Sequence, residues 1–236
     1  MRYKLLTGFI ALLLCAGYGG AQQQNASEPD RARTYMERSM DSYADVNGLQ
    51  AFYNTIKTDY DLSHFMRALP GWMAEKRVWS PPAWIQVAVV SGLSSKDPLL
   101  VFNAANTANA LGINCAPQLM GYYQTIHDKF GSHEDMIKTA ILGAIARFND
   151  PNKTSFLFDV LTEDRYPLLG GTFAALLGAM ETSQSTLYLP KLAEVSDTLD
   201  SLATRLSTLK EHEFKVKNIR AVQVRVNRLR AMIGGR

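Results

Sequence analysis

Between Ser80 and Met180 the chain alternates apolar helical stretches with short stops at a nearly fixed interval. SPPAWIQVAVVSGLSS precedes KDPLLVFNAANTANALG, APQLMGYYQTIHDKFG precedes SHEDMIKTAILGAIARF, and NDPNKTSFLFDVLTED precedes RYPLLGGTFAALLGAM. The punctuation has a physical basis. Asp97-Pro98 and Asp150-Pro151 pair an N-cap acceptor with a residue that fits the first helical turn, and Gly112 and Gly131 are natural helix stops. The second stretch of each pair begins near residues 98, 133 and 167, a spacing of 35 and 34 residues. A two-helix period of about this length predicts an all-α chain built as stacked hairpins, since no single hairpin buries its apolar face alone. Small residues recur in the second stretches: Ala104 and Ala108, Ala140 and Ala144, then Ala174, Ala175, Gly178 and Ala179. They permit close helix approach. An ordinary Ala-rich compact bundle is the alternative.

The flanks are helical too. PDRARTYMERSMDSYA, GLQAFYNTIKTDY and DLSHFMRALPGWMAEK read as short amphipathic helices, the third interrupted at Pro70-Gly71. Near the C-terminus, Val195, Leu199, Leu202, Leu206 and Leu209 step by 4, 3, 4 and 3, and Ile219, Val222, Val226, Leu229 and Ile233 by 3, 4, 3 and 4. Two such seams predict long amphipathic helices that close the stack or pair with a partner. Alternation over 214–226 leaves a strand open.

The paired segments DPLLVFNAANTANALG, EDMIKTAILGAIARFNDP and PLLGGTFAALLGAM resemble the HEAT-repeat family over residues 80–181. The resemblance implies a short α-solenoid, a curved stack of helix pairs that binds other proteins through the second helices. It implies neither catalysis nor any shared functional residue. The expected organisation is a signal peptide at 1–21, a polar linker and N-terminal helices at 22–79, HEAT-like repeats at 80–181, and C-terminal amphipathic helices with a basic end at 182–236.

The N-terminus has the layout of an export signal. Arg2 and Lys4 precede the apolar run LLTGFIALLLCA, and small residues GYGGA precede a cut after Ala21. The run is too short for a typical spanning helix of about 20 residues. The expectation is an exported chain in the periplasm, cell envelope or medium. Cys15 raises lipidation as a variant, although Leu14 immediately before it is a poor match. Past Ala21 only Cys115 remains, in the apolar context GINCAPQL, which reads as a small buried hydrophobe with no disulfide partner.

No glycine-rich phosphate loop, nucleophile elbow or paired-cysteine zinc motif is present in the sequence. QTIHDKFGSHEDMIK gathers His127, Asp128, His133, Glu134 and Asp135, but the six-residue spacing of the histidines does not place both on one helix face for zinc. Ser132 reads as an N-cap with Asp135 three residues on, and Glu134 and Asp135 suit a first turn. The stretch therefore predicts a helix boundary, with no catalytic residue, metal or cofactor. Two surfaces remain. Asn103, Asn106 and Thr107 form a polar stripe that is either an exposed binding ridge, extended by Arg147, or a set of backbone-satisfying contacts between helices, with an ordinary exposed face as the favoured bland reading. The chain carries a net charge of +3, yet from Lys210 onward eight Lys or Arg face two Glu, so a basic tail follows a mildly acidic body. Arg220, Arg225 and Arg228 in that tail are candidate partner contacts. Nucleic acid is not the expected partner, because the tail has few aromatics to stack on bases. The expected function is a non-catalytic scaffold or adaptor that binds a protein. The alternative is a peripheral envelope protein held on an anionic membrane surface by the basic helix or by lipidated Cys15. A metal-dependent hydrolase comes third.

Overall fold

The computed structural model describes residues 28–126, 129–162, 168–208 and 212–235. The expected signal peptide, Cys15, His127 and Asp128 lie outside the described residues. Eleven α-helices, two short 3-10 turns and no strand are found among the described residues. In chain order they are α1 Glu28–Asp41, α2 Val46–Tyr53, α3 Asp59–Glu75, α4 Ala83–Leu93, α5 Pro98–Leu111, α6 Ala116–Thr125, α7 Glu134–Arg147, α8 Lys153–Thr162, α9 Gly171–Ser183, α10 Leu189–Ser207 and α11 Glu213–Gly234. The strand alternative for 214–226 is thus excluded.

Neighbours in sequence form the hairpins α4/α5, α6/α7, α8/α9 and α10/α11. The second members also pack on one another in order: α3 on α5, α5 on α7, α7 on α9 and α9 on α11, with α1 against α3. One apolar cluster runs through all of them from Met36 to Ile233. Gly92 sets how closely α4 meets α5, since a Cβ there would stand 3.0 Å from the Ala104 Cβ. The two heptad seams face each other in α10/α11, where Val195, Leu199 and Ala203 bury against Ile219, Val226, Leu229 and Ile233. They form an intramolecular hairpin.

Several boundaries follow the sequence punctuation. Asp97 caps α5 by accepting from the Leu100 amide at 2.8 Å, and Pro98 opens the helix. Gly112 ends α5 in the left-handed conformation, φ 66°, which an L side chain adopts at a cost.

Others differ. Helix α4 has Pro82 at its N-cap position, with no side-chain cap bond. The third second-helix begins at Gly171 instead of 167, so the second helices start at 98, 134 and 171. Helix α3 continues through Pro70, where a break was expected. It does so because Phe65, Met66, Leu69, Trp72 and Met73 are buried on both sides of the proline. Ser132 does not cap α7. A 3-10 turn over Gly131–His133 precedes the helix, and His133 occupies the cap position without a side-chain bond.

Candidate binding surfaces

The polar stripe of α5 divides between core and surface. Asn103 and Thr107 are buried and Asn106 is exposed. Asn103 Nδ2 donates to the Ser63 carbonyl at 3.1 Å and to the Ser63 hydroxyl at 3.2 Å, and Thr107 Oγ1 donates to the Met66 carbonyl at 2.7 Å. Two of the three residues are therefore corrected from a surface ridge to the other role the sequence left open, satisfying backbone across a helix contact. The Met66 contact has a specific cause. Four residues on from Met66 is Pro70, which has no N–H to complete the helical bond. The Thr107 hydroxyl from α5 supplies the missing donor. It also explains how a proline sits inside α3 without leaving that carbonyl orphaned.

Similar bridges recur along the stack. Trp72 Nε1 on α3 donates to the Met40 carbonyl of α1 at 2.9 Å. Arg147, at the end of α7, donates to the Asn109 carbonyl and, at 3.4 Å, to that of Ala110, so it closes the C-terminal end of α5. Lys153 is buried, and its ammonium donates to the Ala146 and Phe148 carbonyls at 2.9 and 3.1 Å. Thr182 on α9 adds a third bond to the α7 end, Oγ1 to the Ala146 carbonyl at 3.0 Å. Orphan carbonyls at helix ends attract such cations, while burial lowers the Lys153 pKa below its usual 10.5.

The histidine-acid stretch has a structural role where it is described. Asp135 Oδ1 accepts from the Thr172 hydroxyl at 2.6 Å and the Thr172 amide at 3.2 Å. A carboxylate on α7 thereby caps the N-terminus of α9, and this fixes the start of α9 at Gly171. Asp135 stays in the first turn of α7, as expected, while its carboxylate reaches across to α9. Glu134 instead pairs with Lys138 one turn on, at 2.5 Å. Among the described residues no three His, Cys, Asp or Glu side chains gather to hold a metal.

In the basic tail, Arg220 pairs with Asp200 on α10 and donates to Gln223 Oε1 at 2.7 Å. Arg225 bonds Glu181 at 3.1 Å and the Ala174 carbonyl at 3.0 Å, both on α9. Arg220 ties α11 to α10 within the last hairpin, and Arg225 ties that hairpin to α9, so both arginines expected as partner contacts are engaged inside the fold. Their alternation with the buried seam residues hid the difference: each lies where a neighbouring helix offers an acid. Arg228 is exposed.

Exposed and half-buried residues are left on the outer arcs of α5, α7 and α9. On α5 they are Leu99, Asn106 and Ala110, on α7 Thr139, Gly143 and Arg147, and on α9 Gly171, Ala174 and Glu181. The arcs adjoin, because Arg147 reaches the α5 carbonyls, a Cβ on Gly171 would lie 2.9 Å from Thr139 Oγ1, and Arg225 lies along Ala174 and Glu181. Of the residues singled out in the sequence, Asn106, Arg147 and Arg225 meet these arcs. Asn103 and Thr107 do not.

Two features gave no sequence signal. His64 is buried on α3, edge-on to the Tyr60 ring at 4.6 Å, and neither ring nitrogen has a hydrogen-bond partner. Burial, then the Arg67 charge, lowers its pKa, with Asp61 opposing. Trp79 is 81% exposed in the α3–α4 connection. Cys115 is buried, as its context suggested, and burial pushes its thiol up to about 11. No described helix is long and apolar enough to cross a membrane. No protein-family model, curated protein or solved structure matches the chain.

Proposed function

We propose that the chain is an exported, non-catalytic scaffold whose helical hairpins stack as a short HEAT-like α-solenoid and bind a protein through the outer arcs of α5, α7 and α9. The observation that carries this reading is the order of packing. Each second helix contacts the second helix before it and the one after it, and side-chain-to-backbone bonds tie the pairs. Such an arrangement generates a broad, ordered surface from local contacts alone. The surface is largely small and polar side chains with fixed charges at Arg147 and at Arg225–Glu181, which suits recognition of another folded surface more than enclosure of a small molecule.

The test is capture of a binding protein by the purified chain and by an Asn106→Arg/Gly143→Arg variant. Asn106 is exposed, and a Cβ at Gly143 meets nothing within 4 Å, so neither substitution begins with a clash. A protein held by the parent chain and released by the variant, with an unchanged helical spectrum, is the expected result. The same proteins retained by both would refute the assignment of the surface.

A further inference from the structure

Helix α11 ends the order of packing, and its two long faces differ in an informative way. The inner face, Ile219, Val226, Leu229 and Ile233, is buried against α10 and α9. On the opposite side Lys217, Ala221, Val224, Arg228 and Ala231 recur at steps of 4, 3, 4 and 3 and are all exposed. Phe214 and Met232 flank this stripe near its two ends. Phe214 is 74% exposed and Val224 68%. From Phe214 to Met232 the stripe is about 27 Å long at 1.5 Å per residue. A helix that closes a stack ordinarily turns a polar face to water. This one carries apolar side chains between cations. Lys215 is also exposed near the N-terminal end, and Glu213 in the first turn is the one acid in the helix.

We propose that the outer stripe of α11 docks on an anionic membrane surface, with Phe214, Val224 and Met232 entering the headgroup layer and Lys217 and Arg228 against the lipid phosphates. Charge complementarity chooses the occupant. Cations and apolar residues interleaved along one helix face are what an interfacial helix presents to acidic lipid. A protein partner would have to bring its own recess for a helical ridge, whereas a plane of phosphates needs none. Arg220 and Arg225 are not part of the stripe's charge, since Asp200 and Glu181 hold them. The proposal does not rest on the protein-binding surface of α5, α7 and α9, and the two fail separately.

The experiment is partition of the full chain onto vesicles of phosphatidylcholine alone and of phosphatidylcholine with about 30 mol% phosphatidylglycerol, near the charge density at which each cation contributes about fivefold. The N-terminal segment is the same in every variant, so differences report on α11. Expected is at least about tenfold stronger partition onto the acidic vesicles at ~0.1 M salt, falling toward the neutral level at ~1 M, where screening reaches about 3 Å. Lys217→Glu/Arg228→Glu should abolish the preference, and Phe214→Ser/Val224→Ser should weaken binding about fivefold on acidic vesicles. A control inversion far along the chain, Lys57→Glu/Arg77→Glu, should leave it within about twofold. Equal partition onto both vesicles, an undiminished preference in the α11 charge variant, or the same loss in the control would each overturn the proposal. So would loss of an acidic protein partner in the α11 variant without any vesicle preference in the parent chain.

Discussion

The Thr107–Met66 contact supports a quantitative prediction. Thr107→Val keeps the shape of the side chain and removes its hydroxyl. The Met66 carbonyl then faces a methyl group, and its helical donor position is still a proline. Leaving a buried acceptor unpaired costs about 1–3 kcal/mol. For a domain of this size that lowers the melting temperature by roughly 2–4 °C per kcal/mol. The decisive measurement is the same substitution in a Pro70→Ala background. The alanine brings an N–H four residues on from Met66, and the helix closes the bond itself. Thr107→Val should then cost less than about 1 kcal/mol. Urea unfolding followed by circular dichroism on the four chains gives the coupling directly. A coupling of about 1 kcal/mol or more is expected. If the two substitutions add within about 0.5 kcal/mol, the hydroxyl does not replace the proline's missing donor and the reasoning fails.

Asp135→Ala removes the acceptor that caps α9, and should cost about 1–2 kcal/mol while accelerating hydrogen exchange in the first turn of α9 before that of α7. His64 is held neutral below its ordinary value near 6.5. On acidification the unfolded chain therefore takes up the proton first, and stability falls from about pH 6.5 down to the lowered pKa of the folded state. His64→Leu should abolish that component of the pH dependence and, by removing an unpartnered buried imidazole, leave stability at neutral pH equal or higher. Parallel pH profiles of parent and variant would contradict this.

Local chemistry was most legible where the chain alone decides the outcome. Asp97, Pro98 and Gly112 act within a few residues of themselves, and they bound α5 as their types require. Elsewhere a distant partner decides. Pro70 does not end α3 because apolar residues beyond it are buried and a hydroxyl from α5 replaces its donor. Ser132 does not cap α7, and Asp135 is drawn to Thr172, 37 residues away. One missed assignment did leave a trace. Leu100, Asn103, Ala104, Thr107 and Ala108 fall at i, i+3, i+4, i+7 and i+8, the buried stripe of α5. The period alone places Asn103 and Thr107 inside, against the habit of reading polar side chains outward. Arg220 and Arg225 had no such trace. Nothing local to α11 announces that Asp200 and Glu181 stand opposite them. The exposed stripe of Lys217, Val224 and Arg228 is legible in retrospect as the complement of the Ile219–Ile233 seam.

The bridges along the stack have a direction. At Met66, at Asn109 and Ala110, and at Ala146, the carbonyl always belongs to the earlier helix and the donating side chain, Thr107, Arg147 or Thr182, to a later one. Each of these helices, taken without the hairpin that follows it, is left with an open acceptor that the next hairpin seals. A premature stop would therefore harm the unit before it as well as the one it deletes. Loss of the same length from the front would leave those later seals intact.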